Sequence, residues 1–114
     1  MSEPSVLLVS ITVDDETHAL RMAERLVMEH LAASANVQAA HTSFRLEHGQ
    51  LVEYQETSIR ATTTTARFDA LCERVSTMPG IVMPGISATP LTMSHPRFEP
   101  WIHAVLEACK ARAA

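Results

Sequence analysis

Ser34 to Thr65 reads SANVQAAHTSFRLEHGQLVEYQETSIRATTTT, which is two long extended segments on either side of a tight His48-Gly49 turn. Glycine supplies the positive φ that such a hairpin turn needs. Each arm is about a dozen residues long, roughly twice the usual length of a strand. A hairpin of that length extends beyond one small domain and exposes unpaired backbone groups, which natural proteins cover or pair with another chain. The stretch therefore predicts that this chain is one subunit of an assembly.

The composition predicts a single domain over residues 1–114, with a hydrophobic fraction of 46% that is sufficient for a core. The formal net charge is −4 and Lys and Arg form no cluster, which argues against a nucleic-acid partner. The apolar run Val6–Ile11 is too short for a membrane span, and the polar start Met1-Ser-Glu-Pro lacks a signal-peptide pattern. We therefore expect no membrane association and a cytoplasmic protein in which Cys72 and Cys109 are buried, reduced thiols.

Hydrophobic patterns predict the remaining elements. The run Ser5–Thr12 is almost continuously β-branched or apolar, which is typical of a central strand covered on both faces. A helix of about fifteen residues or more follows, and its apolar face consists of Ala19, Met22, Ala23, Leu26 and Val27. A second helix has an apolar face of Phe68, Leu71, Cys72 and Val75, and a strand is predicted over Ile86–Thr92. Pro96 and Pro100 open a last helix, which carries on one face Phe98, Trp101, Ile102, Val105, Leu106 and Cys109.

Local signals mark the ends of these elements. Asp14 and Asp15 offer an N-cap for the first helix, and Thr64 or Thr65 offers one for the second. Two Pro-Gly breakers predict an irregular stretch over Met78–Gly85. Pro90 places the last strand at a sheet edge or at a strand end. The resulting order βαββαβ with a C-terminal helix predicts an α+β, ferredoxin-like sandwich with an antiparallel sheet.

Several motifs, in this order and at this spacing, resemble the CutA divalent-cation tolerance proteins over about residues 5 to 108. The resemblance is carried by Val6-Leu-Leu-Val-Ser10, by Ala23–Val27 with His30–Asn36, by Thr42-Ser-Phe44 with Glu47–Leu51, by Glu53 and Glu56, by Ile59–Thr63, by Phe68 and Leu71, and by Trp101-Ile102. It implies a homotrimer that pairs its sheet edges through the 35–63 hairpin. It also implies a non-catalytic role in tolerance of, or response to, divalent metal ions such as copper.

The residues that this resemblance implies as copper ligands are replaced in this chain. Ser10 stands at the family's first-strand cysteine, Met78 at a histidine that precedes a proline, and Gly85 at a glutamate that follows the next proline. The two prolines are also separated by one residue more than in the usual pattern. The resemblance therefore carries over the fold but no confident metal ligand, and no cofactor is certain.

Methionine and histidine offer one replacement site for copper or another metal. Met78, Met83, Met93 and His95 lie in or beside the Pro-Gly segment, and Cu(I) accepts thioether sulfur. We take Met78, Met83 and His95 as weak candidates for a soft metal site. The alternative is that these methionines only fill gaps in the packing.

The threonine run offers a site for a small ligand. Hydroxyls and free N–H groups at a helix start can hold an anion, and Arg60 lies two residues before Thr62–Thr65. The CutA family is similar to the PII signalling proteins, which implies a small-anion or nucleotide sensor that binds its ligand in a cleft between subunits. The alternative is that the threonines simply end a strand and cap a helix.

A third possibility is a cofactor-free enzyme of the dimeric α+β barrel type. Trp101, His103, His41 and Glu56 would have to meet in one pocket, and no nucleophile motif accompanies them. We therefore expect no catalysis. The predicted ligand cleft consists of Ser10, Glu56, Arg60, Thr62, Thr63 and Trp101.

Overall fold

The computed structural model describes residues 4–113, without the side chains of residues 83, 84 and 109–113. Its elements in chain order are β1 (Val6–Val13), α1 (Glu16–Met28), β2 (Ser34–Glu47), β3 (Gln50–Thr64), α2 (Thr65–Ser76), β4 (Ile81–Pro90) and α3 (Phe98–Ala113). The four strands form one sheet in the order β2-β3-β1-β4, with every neighbouring pair antiparallel. This order confirms the predicted ferredoxin-like fold. None of the helices in the described part of the chain is long and apolar enough to cross a membrane.

The main core lies on one face of the sheet, under α1 and α2. Strand β1 directs Leu7, Val9 and Ile11 into it, and all three are buried. Leu8 and Ser10 alternate with them and are exposed on the opposite face. The prediction that this strand is covered on both faces is therefore wrong for most of its length. The reason is that α3 covers only the start of the opposite face.

A second, smaller cluster forms where α3 reaches the sheet. Ile102 and Leu106 of α3 are buried there together with Val6 and Ala33. Trp101 was predicted on the same apolar face, but its side chain is 45% exposed. Cys109 lies outside the described side chains, so its predicted burial stays a prediction. Cys72 is half-buried on α2. Desolvation raises the pKa of its thiol, and the negative charge of Asp69 raises it further.

Helix α1 starts as predicted and ends earlier than predicted. Asp15 is its N-cap and accepts a hydrogen bond from the backbone N–H of His18 at 2.8 Å. The helix has 13 residues rather than about fifteen or more. His30 adopts a left-handed backbone with φ of 58°, which turns the chain out of the helix just after the cap at Glu29.

The long hairpin and the His48-Gly49 turn predicted within residues 34–65 are confirmed. His48 and Gly49 both have positive φ, 53° and 78°, as a two-residue hairpin turn requires. Strand β1 pairs with β3 only from Thr57 to Thr64. Residues 41–47 and 50–56 therefore continue past the sheet as a two-stranded ribbon, and the molecule measures 49 × 29 × 22 Å. We call these two segments the ribbon.

Strand β4 differs from the prediction at both ends. It starts at Ile81 rather than Ile86, and it ends at Pro90 rather than Thr92. Val13 pairs with Ile81 and Ile11 pairs with Ile86, so residues 82–85 form a bulge opposite one residue of β1. The breakers of the predicted irregular stretch thus interrupt a strand instead of preceding it. Pro90 lies at the end of an edge strand, as predicted.

Candidate functional site

A depression of about 490 Å³ lies on the face of the sheet opposite the main core. We call this surface the open face. The depression is lined by Leu8, Val9, Ser10, Ser34, Asn36, Arg60, Ala61, Thr62, Thr89 and Phe98. Ser10, Arg60 and Thr62 of the predicted ligand cleft thus meet there. They meet because Ser10 pairs with Arg60 across β1 and β3, and Thr62 lies two residues further along the same face.

The other half of the threonine run does not belong to this depression. Thr63 faces the core side, and its hydroxyl donates a 2.6 Å hydrogen bond to the Leu31 carbonyl. Thr64 is the N-cap residue of α2 but makes no side-chain capping bond, and the N–H of Thr65 donates to the Ser5 carbonyl at 2.9 Å. The predicted anion site at the start of α2 is therefore not assembled, because strand alternation and existing hydrogen bonds divide the four threonines.

Trp101 lies outside the open-face depression. Its ring stacks on Phe98 with centroids 6.2 Å apart, and the two rings line a shallow surface hollow with His95 and Arg97. Phe98 borders both this hollow and the depression. His103, further along α3, instead lines hollows with Pro4 and Glu107.

Glu56 lies on the ribbon and is committed to an ion pair. Its carboxylate is 3% exposed and accepts two hydrogen bonds from Arg45, at 3.0 and 2.8 Å. These bonds lower the pKa of Glu56 below its ordinary value of 4.5 and raise the pKa of Arg45. The guanidinium of Arg45 also lies 4.0 Å from the centroid of the Tyr54 ring. No local pattern in the sequence singles out Arg45, because only the strand register shows that it meets Glu56.

His41 is part of the same network. Its Nε2 is 2.6 Å from the Ser58 hydroxyl, and its Nδ1 is 3.4 Å from the Ser43 hydroxyl. His41 and Glu56 therefore lie opposite each other on the ribbon, whereas Trp101 and His103 lie on a different element, α3. The pocket proposed for a cofactor-free enzyme is not formed by these four residues.

The start of α1 brings together three side chains that could hold a cation. Single ligand atoms of Asp14, Asp15 and His18 all lie within 4.8 Å of one another. The Nδ1 of His18 is 2.8 Å from an oxygen of Asp14 and 3.5 Å from an oxygen of Asp15. The hydrogen bond to Asp14 raises the pKa of His18 above 6.5. Two carboxylates and an imidazole suit borderline divalent cations. The sequence signal was an N-cap aspartate followed three residues later by histidine, which we interpreted only as a cap.

Two of the residues proposed for a soft metal site, Met78 and His95, lie in different surroundings. Met78 packs against the main core. His95 is exposed beside the start of α3, where its Nδ1 accepts a 3.1 Å hydrogen bond from the N–H of Arg97. The side chain of Met83 is outside the described part of the chain.

The positions at which the family resemblance implies metal ligands do not fit a metal. Ser10 lies in the open-face depression and Met78 is packed against the core. A Cβ at Gly85 would collide with the Val82 carbonyl oxygen and would stand 2.8 Å from the Cβ of Thr12. The bulge in β4 thus closes the space that a glutamate side chain would need at position 85.

Comparison with known proteins gives one consistent result. The family model described as CutA1 divalent ion tolerance protein matches residues 7–105. A divalent-cation tolerance protein CutA from Thermus thermophilus is 36% identical over 95 residues, which cover 83% of this chain and 92% of the relative.

Solved structures agree with this match. The divalent cation tolerance protein (Cut A1) from Thermus thermophilus superposes with a TM-score of 0.78 at 37% identity, covering 85% of this chain and 94% of that one. The periplasmic divalent cation tolerance protein CutA from Archaeoglobus fulgidus has a TM-score of 0.83 at 26% identity, covering 90% and 99%.

Proposed function

This chain belongs to the CutA1 divalent ion tolerance family, and on that premise we propose that it serves divalent-cation tolerance as a non-catalytic homotrimer. The match to the family extends over residues 7–105, and the similar proteins are named for tolerance of divalent cations rather than for a reaction. The cation in question is copper or another divalent metal.

The observation that carries the assembly is the ribbon and what it exposes. Phe44, Leu46 and Leu51 are 61%, 75% and 69% exposed, and the cross-strand pairing of Leu46 with Leu51 puts all three on one face. Full burial of one such side chain is worth about 1.5–3 kcal/mol. A contact with neighbouring copies would remove this surface from water, and a cyclic arrangement gives every ribbon an equivalent neighbour.

The cation contact that we propose is the cluster of Asp14, Asp15 and His18. Its two carboxylates and imidazole replace the donor set that positions 10, 78 and 85 no longer supply. The cluster is accessible, since both aspartates are exposed. His18 also lies against Gly80 at the turn before β4, so a cation there would connect the start of α1 to that turn.

The test is calorimetric titration of Cu(II) into metal-free, tag-free protein whose molar mass has first been determined by light scattering. We expect three subunits per particle and saturable binding at one site per subunit. The variant His18→Gln should bind Cu(II) about tenfold or more weakly than the parent protein, because it lacks the imidazole ligand. His95→Gln is the matched control, and it should bind like the parent protein.

Other outcomes assign the function differently. Loss of binding in His95→Gln alone would place the metal at His95 instead of at His18. A protein that binds no divalent cation, or that is monomeric, would contradict the corresponding part of the proposal.

The raised pKa of His18 predicts how cation binding depends on pH. Protonated His18 is stabilised by Asp14, so this contact adds stability below pH 6.5 and is lost as the pH rises through the raised pKa. A metal needs the neutral ring, and its binding must release the proton. We therefore expect Cu(II) affinity to fall as the pH is lowered, starting above pH 6.5, by up to about tenfold per pH unit. Titration across this range checks it, and a pH-independent affinity would contradict a ligand role for His18.

A further inference from the structure

The open face carries a row of polar side chains that crosses all four strands. Ser10 of β1 pairs with Arg60 of β3 on one side and with Ser87 of β4 on the other. Arg60 in turn pairs with Asn36 of β2. Residues directly opposite each other on neighbouring strands lie about 5 Å apart and point to the same face. Asn36, Arg60, Ser10 and Ser87 therefore stand side by side, and the first three line the depression.

The neighbouring row adds hydroxyls and an apolar wall. It consists of Ser34, Thr62, Leu8 and Thr89, again aligned by the strand register. The hydroxyls of Ser34 and Thr62 are 2.7 Å apart, so one of them donates to the other. Leu8 is 44% exposed in this row, and Phe98 of α3 borders the same depression.

This surface carries a positive charge without a neighbouring carboxylate among the residues that line it. The side chain of Arg60 is exposed and takes part in none of the side-chain hydrogen bonds or ion pairs found among residues 4–113, and no carboxylate is among the described residues that line the depression. Glu56 lies on the same face of β3, but Arg45 already holds its carboxylate. A chain with a formal net charge of −4 thus presents one unneutralised guanidinium among hydroxyl and amide groups.

We infer that the open-face depression binds a small organic oxyanion, whose phosphate or carboxylate group contacts Arg60 and the hydroxyls of Ser10 and Thr62. A guanidinium binds either group through two parallel N–H bonds, and the Asn36 amide adds further donors. A volume of about 490 Å³ suits a metabolite-sized molecule, with Leu8 and Phe98 beside its carbon skeleton. This site shares no residue with the Asp14, Asp15 and His18 cluster and goes beyond the proposed cation function.

The experiment is a titration of the full-length, metal-free protein with inorganic phosphate and, separately, with citrate, at constant ionic strength. We expect saturable binding at one site per subunit. Arg60→Gln should weaken it by about tenfold or more, because a hydrogen-bonded charge pair is lost. Arg60→Lys should weaken it less, since lysine keeps the charge without the planar fork. The relative affinity for the two probes distinguishes a phosphate ligand from a carboxylate ligand.

Arg21→Gln is the control for net charge, because Arg21 is an exposed arginine on α1. It should leave the affinity within about twofold of the parent value. A second variant, Ser10→Asp, places a carboxylate directly opposite Arg60 and should abolish binding while leaving the guanidinium in place. Failure of both probes to saturate, or equal weakening by Arg60→Gln and Arg21→Gln, would overturn the assignment.

Discussion

At the scale of single residues, Gly80 and Gly49 share a left-handed backbone but differ in their surroundings. Their φ angles are 98° and 78°. A Cβ at Gly80 would lie 2.5 Å from the Cβ of His18, whereas a Cβ at Gly49 would have nothing within 4 Å. Gly80 is thus required both by its backbone conformation and by the close approach of the turn to α1, where its carbonyl accepts a 2.9 Å hydrogen bond from the N–H of Asp14.

The same substitution at the two glycines separates these requirements. We expect Gly49→Ala to cost about 1–2 kcal/mol of unfolding free energy, from backbone strain alone. Gly80→Ala adds a steric conflict with His18, and we expect about 2–5 kcal/mol in total. Urea denaturation at one fixed protein concentration measures both values. Equal losses in the two variants would show that the turn yields without cost and that His18 is not held against it.

The candidate site shows which residue-level features a sequence discloses. Ser10, Arg60 and Thr62 of the predicted ligand cleft line one depression, because antiparallel strands bring distant positions onto one face. Thr63 was grouped with them only because it is adjacent in sequence, and strand alternation places it on the opposite face. Asp14 and Asp15 were recognised as a helix start, but their proximity to His18 required the geometry of the first helical turn.

At the scale of elements, the ribbon is stiffened by a network on one face. One extra residue between Gln38 and His41 changes which side chains of β2 share a face with Glu56. As a result, Arg45 and His41 come onto the face that also carries Tyr54, and Phe44 and Leu46 turn to the other face. The bulge therefore separates the ion-paired face of the ribbon from the face that carries Phe44, Leu46 and Leu51 together with polar residues such as Glu53.

The ion pair of Glu56 predicts that acid destabilises the ribbon. Because the pKa of Glu56 is held below 4.5 in the folded chain, the stability that it contributes is present above pH 4.5 and is lost as the pH falls through the lowered value. Glu56→Gln leaves Arg45 without its carboxylate partner. We expect a loss of about 1–3 kcal/mol near neutral pH, below the cost of a fully buried pair because Arg45 is 38% exposed. The measurement is urea denaturation as a function of pH.

Glu53→Gln is the matched control on the same strand. Glu53 is exposed and forms no ion pair among the described residues, so its loss should change the unfolding free energy by less than about 0.5 kcal/mol. The two variants should also differ in acid, where the deficit of Glu56→Gln relative to the parent protein shrinks. A deficit that stays constant as the pH falls below 4.5 would assign the effect to packing instead of charge.

The elements themselves were predictable to the extent that their signals are local. The hairpin turn, the helix cap at Asp15 and the βαββαβ order follow from residue patterns a few positions long. The start of β4 is not predicted, because Pro84 and Gly85 indicate a break in the chain. Only the pairing of Ile81 with Val13 shows that the strand begins before this break and continues after it. The pair of Arg45 and Glu56 was missed for the same reason, since it depends on register across a bulge.

At the scale of the whole molecule, the ribbon gives the protein its elongated shape. Helices α1 and α2 pack on one face of the sheet, and the ribbon projects beyond the part of β3 that pairs with β1. The ribbon face that carries Phe44, Leu46 and Leu51 continues the face of β3 that packs against the main core, since Leu51 and Ile59 are an even number of residues apart on β3. These three apolar side chains therefore extend the core-facing side of the sheet and stay exposed in a single chain.

This extension predicts that the assembly depends on Phe44 and Leu46. The double variant Phe44→Ser, Leu46→Ser removes two large exposed apolar groups of the ribbon without changing net charge, and both side chains point away from the Arg45 network. We expect its molar mass by light scattering to fall from three subunits towards one at micromolar concentration, because each buried apolar side chain contributes about 1.5–3 kcal/mol. Leu20→Ser is the control, since Leu20 is 53% exposed on α1, away from the ribbon. A double variant that keeps three subunits would show that the copies meet elsewhere, whereas dissociation of both variants would indicate general destabilisation rather than a ribbon contact.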